Sequence, residues 1–133
     1  MTNAANLLGT EYFLPTIDHE QTVAFYTTVL GFEVVMSSPE HTILIHPAST
    51  SKLHMVAPMD GYNPDREAPQ IRLKVASLQT IKDKVEAGFG AWVHPSFIKN
   101  KGEFSITPWG TREYACQDPK SSVCLQFYEV IDD

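Results

Sequence analysis

The chain has 133 residues, 43% of them hydrophobic and 20% charged, which predicts one globular domain with its own core and excludes collagen, coiled coil and disorder. Ten Lys and Arg against 16 Asp and Glu leave a net charge of -6; this argues against nucleic acid as a partner, because phosphate-backbone binding needs a clustered basic surface, and favours a small cationic compound. No apolar run approaches the roughly 18 residues of a membrane span, and a start carrying Glu11, Asp18 and Glu20 without a basic cluster argues against a secretory leader, so a cytoplasmic protein with no membrane association is expected.

Residues 1–9 form a lead without periodicity, and Thr10 to Pro15, aromatic-rich and ended by Pro, reads as a strand. Asp18 with Gln21 three residues on predicts a helix start, Val23, Tyr26, Val29 and Leu30 recur at helical spacing, and Gly31 supplies the stop. Strands are predicted at Phe32 to Met36, His41 to His46 and Lys52 to Ala57, the last two forming a hairpin around Pro47 to Ser51. The Pro- and charge-rich stretch 58–69 is a linker.

The pattern then restarts. Gln70 to Val75 alternates, Ser77 caps a helix with Leu78, Ile81 and Val85 on one face, and Gly88 ends it. Later strands are expected at Trp92-Val93, Phe104 to Thr107, Thr111 to Gln117 and Val123 to Val130. Asp18 and Ser77 lie 59 residues apart, as do Glu11 and Gln70. The chain is thus a tandem repeat inside a single domain 1–133: module one about 10–57, linker 58–69, module two about 70–130. Each half has one helix and too few strands for its own core, which predicts an α+β unit with helices on one sheet face.

Strand alternation sorts the faces. Ile71, Leu73 and Val75 belong under the helix, and Gln70, Arg72 and Lys74 face away. The repeat offset puts Glu11 and Phe13 on the same second face and sends Tyr12 and Leu14 to the core. Leu125 and Phe127 are core, with Cys124, Gln126 and Tyr128 opposite; Cys116 falls on the core side, so the two cysteines face apart and no disulfide is expected. Symmetric pairing of the hairpin sets His54 diagonal to His41 on one face, a pair able to serve a ligand site. Arg72 and Lys74 bring positive charge opposite Glu11 and Glu113, poised for internal ion pairs or an anionic ligand. Trp109, in a Pro/Gly-rich approach to a strand, can flank a ligand, whereas Trp92 is expected in the core.

Two segments carry a family resemblance. Ile17-Asp18, Val23-Ala24-Phe25-Tyr26 and Val29-Leu30-Gly31-Phe32 resemble the opening of the vicinal oxygen chelate superfamily of glyoxalases, bleomycin-resistance proteins and extradiol dioxygenases. Pro108 to Tyr114, Asp118-Pro119 and Gln126-Phe127-Tyr128-Glu129 resemble its closing motif. The resemblance implies tandem βαβββ modules forming a U-shaped curved-sheet cleft with helices on the outer face, and a homodimer that pairs or exchanges modules. It places the metal-ligand positions of the family's enzymes at Glu11, Gln70 and Gln126. One carboxylate and two amides are a poor set for a divalent ion, so no metal and no cofactor are expected, and the bleomycin-resistance-like branch is the nearer one. The function this implies is sequestration of a partly aromatic ligand, with or without positive charge, by Glu11, Phe13, His54, Gln70, Arg72, Trp109, Glu113, Gln126 and Tyr128. The alternative is a glyoxalase-like lyase, isomerase or dioxygenase, metal-dependent or with Glu11 as general base.

Overall fold

The computed structural model describes residues 6–131, so residues 1–5 of the N-terminal lead lie outside the described chain. Strand β1 (Tyr12–Pro15) leads into helix α1 (His19–Leu30), followed by β2 (Glu33–Ser37), β3 (His41–Ile45) and β4 (Lys52–Val56). After the short helix α2 (Pro64–Glu67) the same order returns as β5 (Gln70–Lys74), α3 (Leu78–Gly88), a 3-10 turn at Gly90–Trp92, the short helix α4 (Pro95–Lys99), β6 (Ser105–Ile106), β7 (Thr111–Gln117) and β8 (Cys124–Val130). The strands form two four-stranded sheets with matching orders, β1-β4-β3-β2 and β5-β8-β7-β6. In each, the first strand runs parallel to the last and the other pairs are antiparallel. The protein is α+β, built of two βαβββ units.

Local chemistry explains the helix bounds. The Asp18 carboxylate accepts from the Gln21 amide at the start of α1, and Gly31, at φ 78°, ends it in the left-handed conformation that a Cβ disfavours. Ser77 Oγ accepts from the Thr80 amide to start α3. The expected linker 58–69 contains one helical turn and a second short helix follows Trp92, started by Pro64 and Pro95 at a first-turn position where the missing amide costs nothing. Trp92 lies in the 3-10 turn and not in a strand, although its ring is buried as expected. Val93 meets the sheet through a bridge to Cys116, and the His94 amide donates to the Ala115 carbonyl at 3.1 Å.

Leu14, Leu44, Leu53 and Met55 from the first sheet and Tyr114, Cys116, Leu125 and Phe127 from the second join one core with both long helices. Tyr12 departs from its expected place: it has the core-face parity, yet 53% of it is exposed. Ile71 and Leu73 are likewise only partly buried. The cause is shared, since β1 and β5 are the edge strands of their sheets and border a recess of about 1190 Å³ between the two repeats.

The repeats are joined through their helices. Phe25 of α1 stacks on Trp92 with centroids 4.0 Å apart and meets Phe89 edge-on. Beside this joint, the Thr22 hydroxyl donates to Asp118 Oδ2 at 2.9 Å, and the Ile17 amide donates to Ser121 Oγ at 2.8 Å. The other oxygen of Asp118 holds its own turn by accepting from the amides of Lys120 and Ser121. Phe25→Ala should therefore destabilise the chain by about 3–5 kcal/mol, read as a lowered urea midpoint. A loss below about 1 kcal/mol, the size typical of an ordinary point substitution, would show that the aromatic joint does not hold the repeats together.

Candidate functional site

Each sheet turns one face to the helices and leaves the other open, and the alternating strands load the open faces with polar and aromatic groups. On the first sheet the parallel register sets Phe13 beside His54, and the hairpin register sets Ile43 beside His54, with His41 two residues from Ile43 on the same side. Glu11, just before β1, accepts a hydrogen bond from His54 Nε2 at 2.7 Å; the other nitrogen of His54 lies 2.8 Å from His41 Nε2. Phe13 stacks on the His54 ring at 4.4 Å while 63% of its own surface stays exposed. The hydrogen bond from His54, with Lys52 Nζ 3.8 Å away, holds the Glu11 carboxyl below its ordinary range.

That environment bears on the expected alternative of Glu11 as a general base. A base must lie near neutrality, and the groups that move Glu11 the other way are His54 and Lys52, not Arg72 or Lys74. The remaining histidines take no part in either cluster. His46 and His94 accept from the amides of Ser49 and Ser96 in a turn and a helix cap, and His19 opens α1.

On the second sheet Arg72 is the centre of a network. Its guanidinium donates to Gln126 Oε1 at 2.9 Å and to Glu113 Oε2 at 2.7 Å, and sits 4.1 Å from the Tyr128 ring centroid. The Thr111 hydroxyl adds a second donor to Glu113 at 3.0 Å. The expected internal ion pair is thus Arg72 with Glu113. The Arg72 hydrogen bond first and Thr111 second hold the Glu113 carboxyl below its ordinary value. Gln70 lies two residues before Arg72 on the same face, exposed and without a side-chain partner among the described residues. Trp109 sits in the turn before β7, 71% exposed and free of ring contacts among the described residues.

The structure therefore brings the candidates together as two clusters, Glu11, Phe13 and His54 on one sheet and Arg72, Glu113, Gln126 and Tyr128 on the other. Glu11, Gln70 and Arg72 also line the recess between the repeats. Among the described residues, no hydrogen bond, ion pair or ring contact joins the two clusters. Sequence reasoning missed Lys52 and Thr111. Thr111 carried a usable signal, since it precedes Glu113 by two in a strand and must share its face.

A metal ion does not fit the Glu11, Gln70 and Gln126 set. The amide oxygen that Gln126 would offer already accepts from Arg72, whose fixed positive charge stands beside Gln70 and Gln126. His54, the nearest imidazole, has both ring nitrogens engaged. Among the described residues, no three His, Cys, Asp or Glu side chains are grouped to hold a metal.

Because the folded value of Glu113 is depressed, the Arg72 pair contributes its full stability above the ordinary carboxylate range and loses it as pH falls through the folded value. Arg72→Met should cost up to about 1 kcal/mol near neutrality, the scale of a part-exposed pair, and the deficit should shrink in acid. Urea melts of both proteins across that range check this; a deficit that persists undiminished in acid would contradict it.

No family model and no curated relative matches the chain. Solved structures do. A bleomycin resistance determinant encoded on the transposon Tn5 superposes with a TM-score of 0.69 at 20% identity, over 93% of this chain and 98% of that one. A bleomycin-binding protein complexed with bleomycin gives 0.64 at 19% identity, over 96% and 100%. A lactoylglutathione lyase from Agrobacterium tumefaciens gives 0.65 at 16% identity, over 91% and 92%. With matching sheet orders, two helix-backed sheets and superposition over more than nine-tenths of its length, the chain has the tandem βαβββ fold of these solved structures.

Proposed function

We propose that this protein binds and sequesters a partly aromatic small molecule without metal chemistry. The observation that carries this reading is the pair of open sheet faces, each with a pre-assembled polar cluster, with Phe13 presenting an exposed ring on the first and Tyr128 lying half-buried under the Arg72 guanidinium on the second. Trp109 adds a second exposed ring. Ligand sites combine apolar stacking area with a few fixed polar groups, and structural neighbours whose names state bleomycin binding share the fold. Glyoxalase-like catalysis by Glu11 receives no support, since its carboxylate is engaged by His54.

The ligand's ring matters more than its charge. Glu11 and Glu113 are already paired, with His54 and Lys52 and with Arg72, so a cationic group gains from the overall charge of -6 more than from a free carboxylate. Bleomycin is the first probe. At a hundred times its dissociation constant a ligand adds about 2.7 kcal/mol, visible as a raised melting temperature. Phe13→Ala or Trp109→Ala should weaken binding by about 2 kcal/mol, as loss of a buried aromatic anchor does, and Glu11→Gln by less. Stabilisation by zinc, nickel or manganese salts in place of aromatic compounds would overturn the reading.

The two clusters become one cleft when the open face of one repeat meets that of the other across a homodimer, which we include in the proposal. Support comes from the apolar side chains left exposed on or beside the strands: Tyr12, Val34, Val35, Met36, Ile106 and Val130. The two free cysteines, Cys116 buried and Cys124 half-buried, suit a reducing compartment, and no described helix is long and apolar enough to cross a membrane. Sedimentation at micromolar concentration should show a dimer, and a monomer would refute the shared cleft.

A further inference from the structure

The end of α1, the β3–β4 hairpin, β5 and the first turns of α3 border a second recess of about 660 Å³, which shares Phe32, His46 and Leu73 with the first. Ligand sites run from about 300 to 1,000 Å³. The chain carries 16 Asp and Glu, yet among the described residues none lines this recess. Two ammonium groups do: Lys74, which ends β5, and Lys84, four residues after Thr80 and so on the same side of α3. Neither has an ion-pair or hydrogen-bond partner among the described residues, whereas Lys82 of the same helix is tied to Glu86 at 2.8 Å. Glu129, which reaches the start of α3, is taken by the Leu78 amide and by Arg112. His46 adds a neutral donor. Its Nδ1 accepts from the Ser49 amide, which puts the ring hydrogen on Nε2. That nitrogen has no partner among the described residues and lies 3.9 Å from where a Cβ on Gly31, also in the lining, would stand.

We propose that this recess is a second ligand site, one that takes the carboxylate of an aliphatic acid. Lys74, Lys84 and the Nε2 hydrogen of His46 receive the carboxylate, and the chain lies against Leu73 and Ile81. The charge of the ligand follows from the lining: two cations without counter-ions and a free N–H donor make charge-assisted bonds to a carboxylate, and no acid stands by to repel it. Its aliphatic body follows from the same residues. Phe32 is the one Phe, Tyr or Trp of the described lining, and it is 5% exposed and already packed against Tyr26 and His46, so the recess offers branched aliphatic surface and no ring to stack on. Arg72 borders the recess without adding a free donor, since its guanidinium is committed to Glu113 and Gln126. The ligand class is therefore distinct from the partly aromatic compound assigned to the open faces.

The probes are decanoate and decanamide, the same chain with and without the charge, titrated calorimetrically into the full chain. Wild-type protein should bind decanoate saturably, one per chain, and about tenfold more tightly than decanamide, the scale of a hydrogen bond to a charged group. Lys74→Gln and Lys84→Gln should each weaken decanoate by about fivefold, as loss of an exposed ion pair does, and the double variant should bring the two probes level. Thr80→Glu places an acid in the lining while completing a capping box with Ser77; it should keep the melting temperature of wild type and lose decanoate. The assignment is overturned if wild type shows no saturable decanoate binding, if it binds both probes equally, or if the double lysine variant keeps wild-type affinity. Affinity that survives in that variant and falls in Arg72→Met would put the anion on the open face and equally overturn it. Sequestration of an aromatic compound on the open faces is tested by Phe13 and Trp109, so its failure and the failure of this site are read from different residues.

Discussion

Two sheets that share no backbone hydrogen bond among the described residues are held together by one aromatic joint, Phe25 stacked on Trp92, with the Thr22 to Asp118 bond beside it. The remaining architecture depends on this contact. It directs the helix-backed faces of both repeats into a single core, because α1 and α3 carry the apolar residues that each sheet must bury. Having spent one face on the core, each sheet has only its other face for chemistry, and alternation along the strands fills that face with polar side chains at no cost to packing.

The two open faces are electrostatically different although they descend from one pattern. The first arranges a carboxylate and two imidazoles in a line, with one aromatic ring stacked on it. The second neutralises its carboxylate with a guanidinium that also satisfies an amide and lies on a tyrosine. Among the described residues, His41 Nδ1 ends the first line without a partner, whereas in the second the Arg72 guanidinium and the Glu113 carboxylate are both engaged.

The Arg72 cluster also occupies the side chains that a cation on this face would need. Its guanidinium puts a fixed positive charge beside Gln70 and Gln126 and takes the Gln126 amide oxygen. The same residue therefore organises the face and closes the coordination route. Cys116, the nucleophile nearest the core, is similarly withdrawn, since burial pushes its thiol up to about 12.

Much of this was legible in the sequence. Periodicity in Gln70 to Val75, the caps at Asp18 and Ser77 and the 59-residue offset determine the element order, the repeat and the side of each sheet on which Glu11, Phe13, Arg72, Gln126 and Tyr128 lie, because side-chain direction is a local property of the backbone. Even the His41 and His54 pairing followed from a symmetric hairpin, which the register of β3 and β4 matches. Tertiary structure decided the rest. Which partner each charged group takes depends on neighbours from other strands: Glu11 meets His54 and Lys52 from β4, and Arg72 meets Glu113 from β7 and Gln126 from β8. The exposure of Tyr12 and the 3-10 placement of Trp92 likewise reflect where an edge strand ends and how two helices meet. Distances between strands far apart in the chain are set by packing, and packing leaves no local signature in the order of residues.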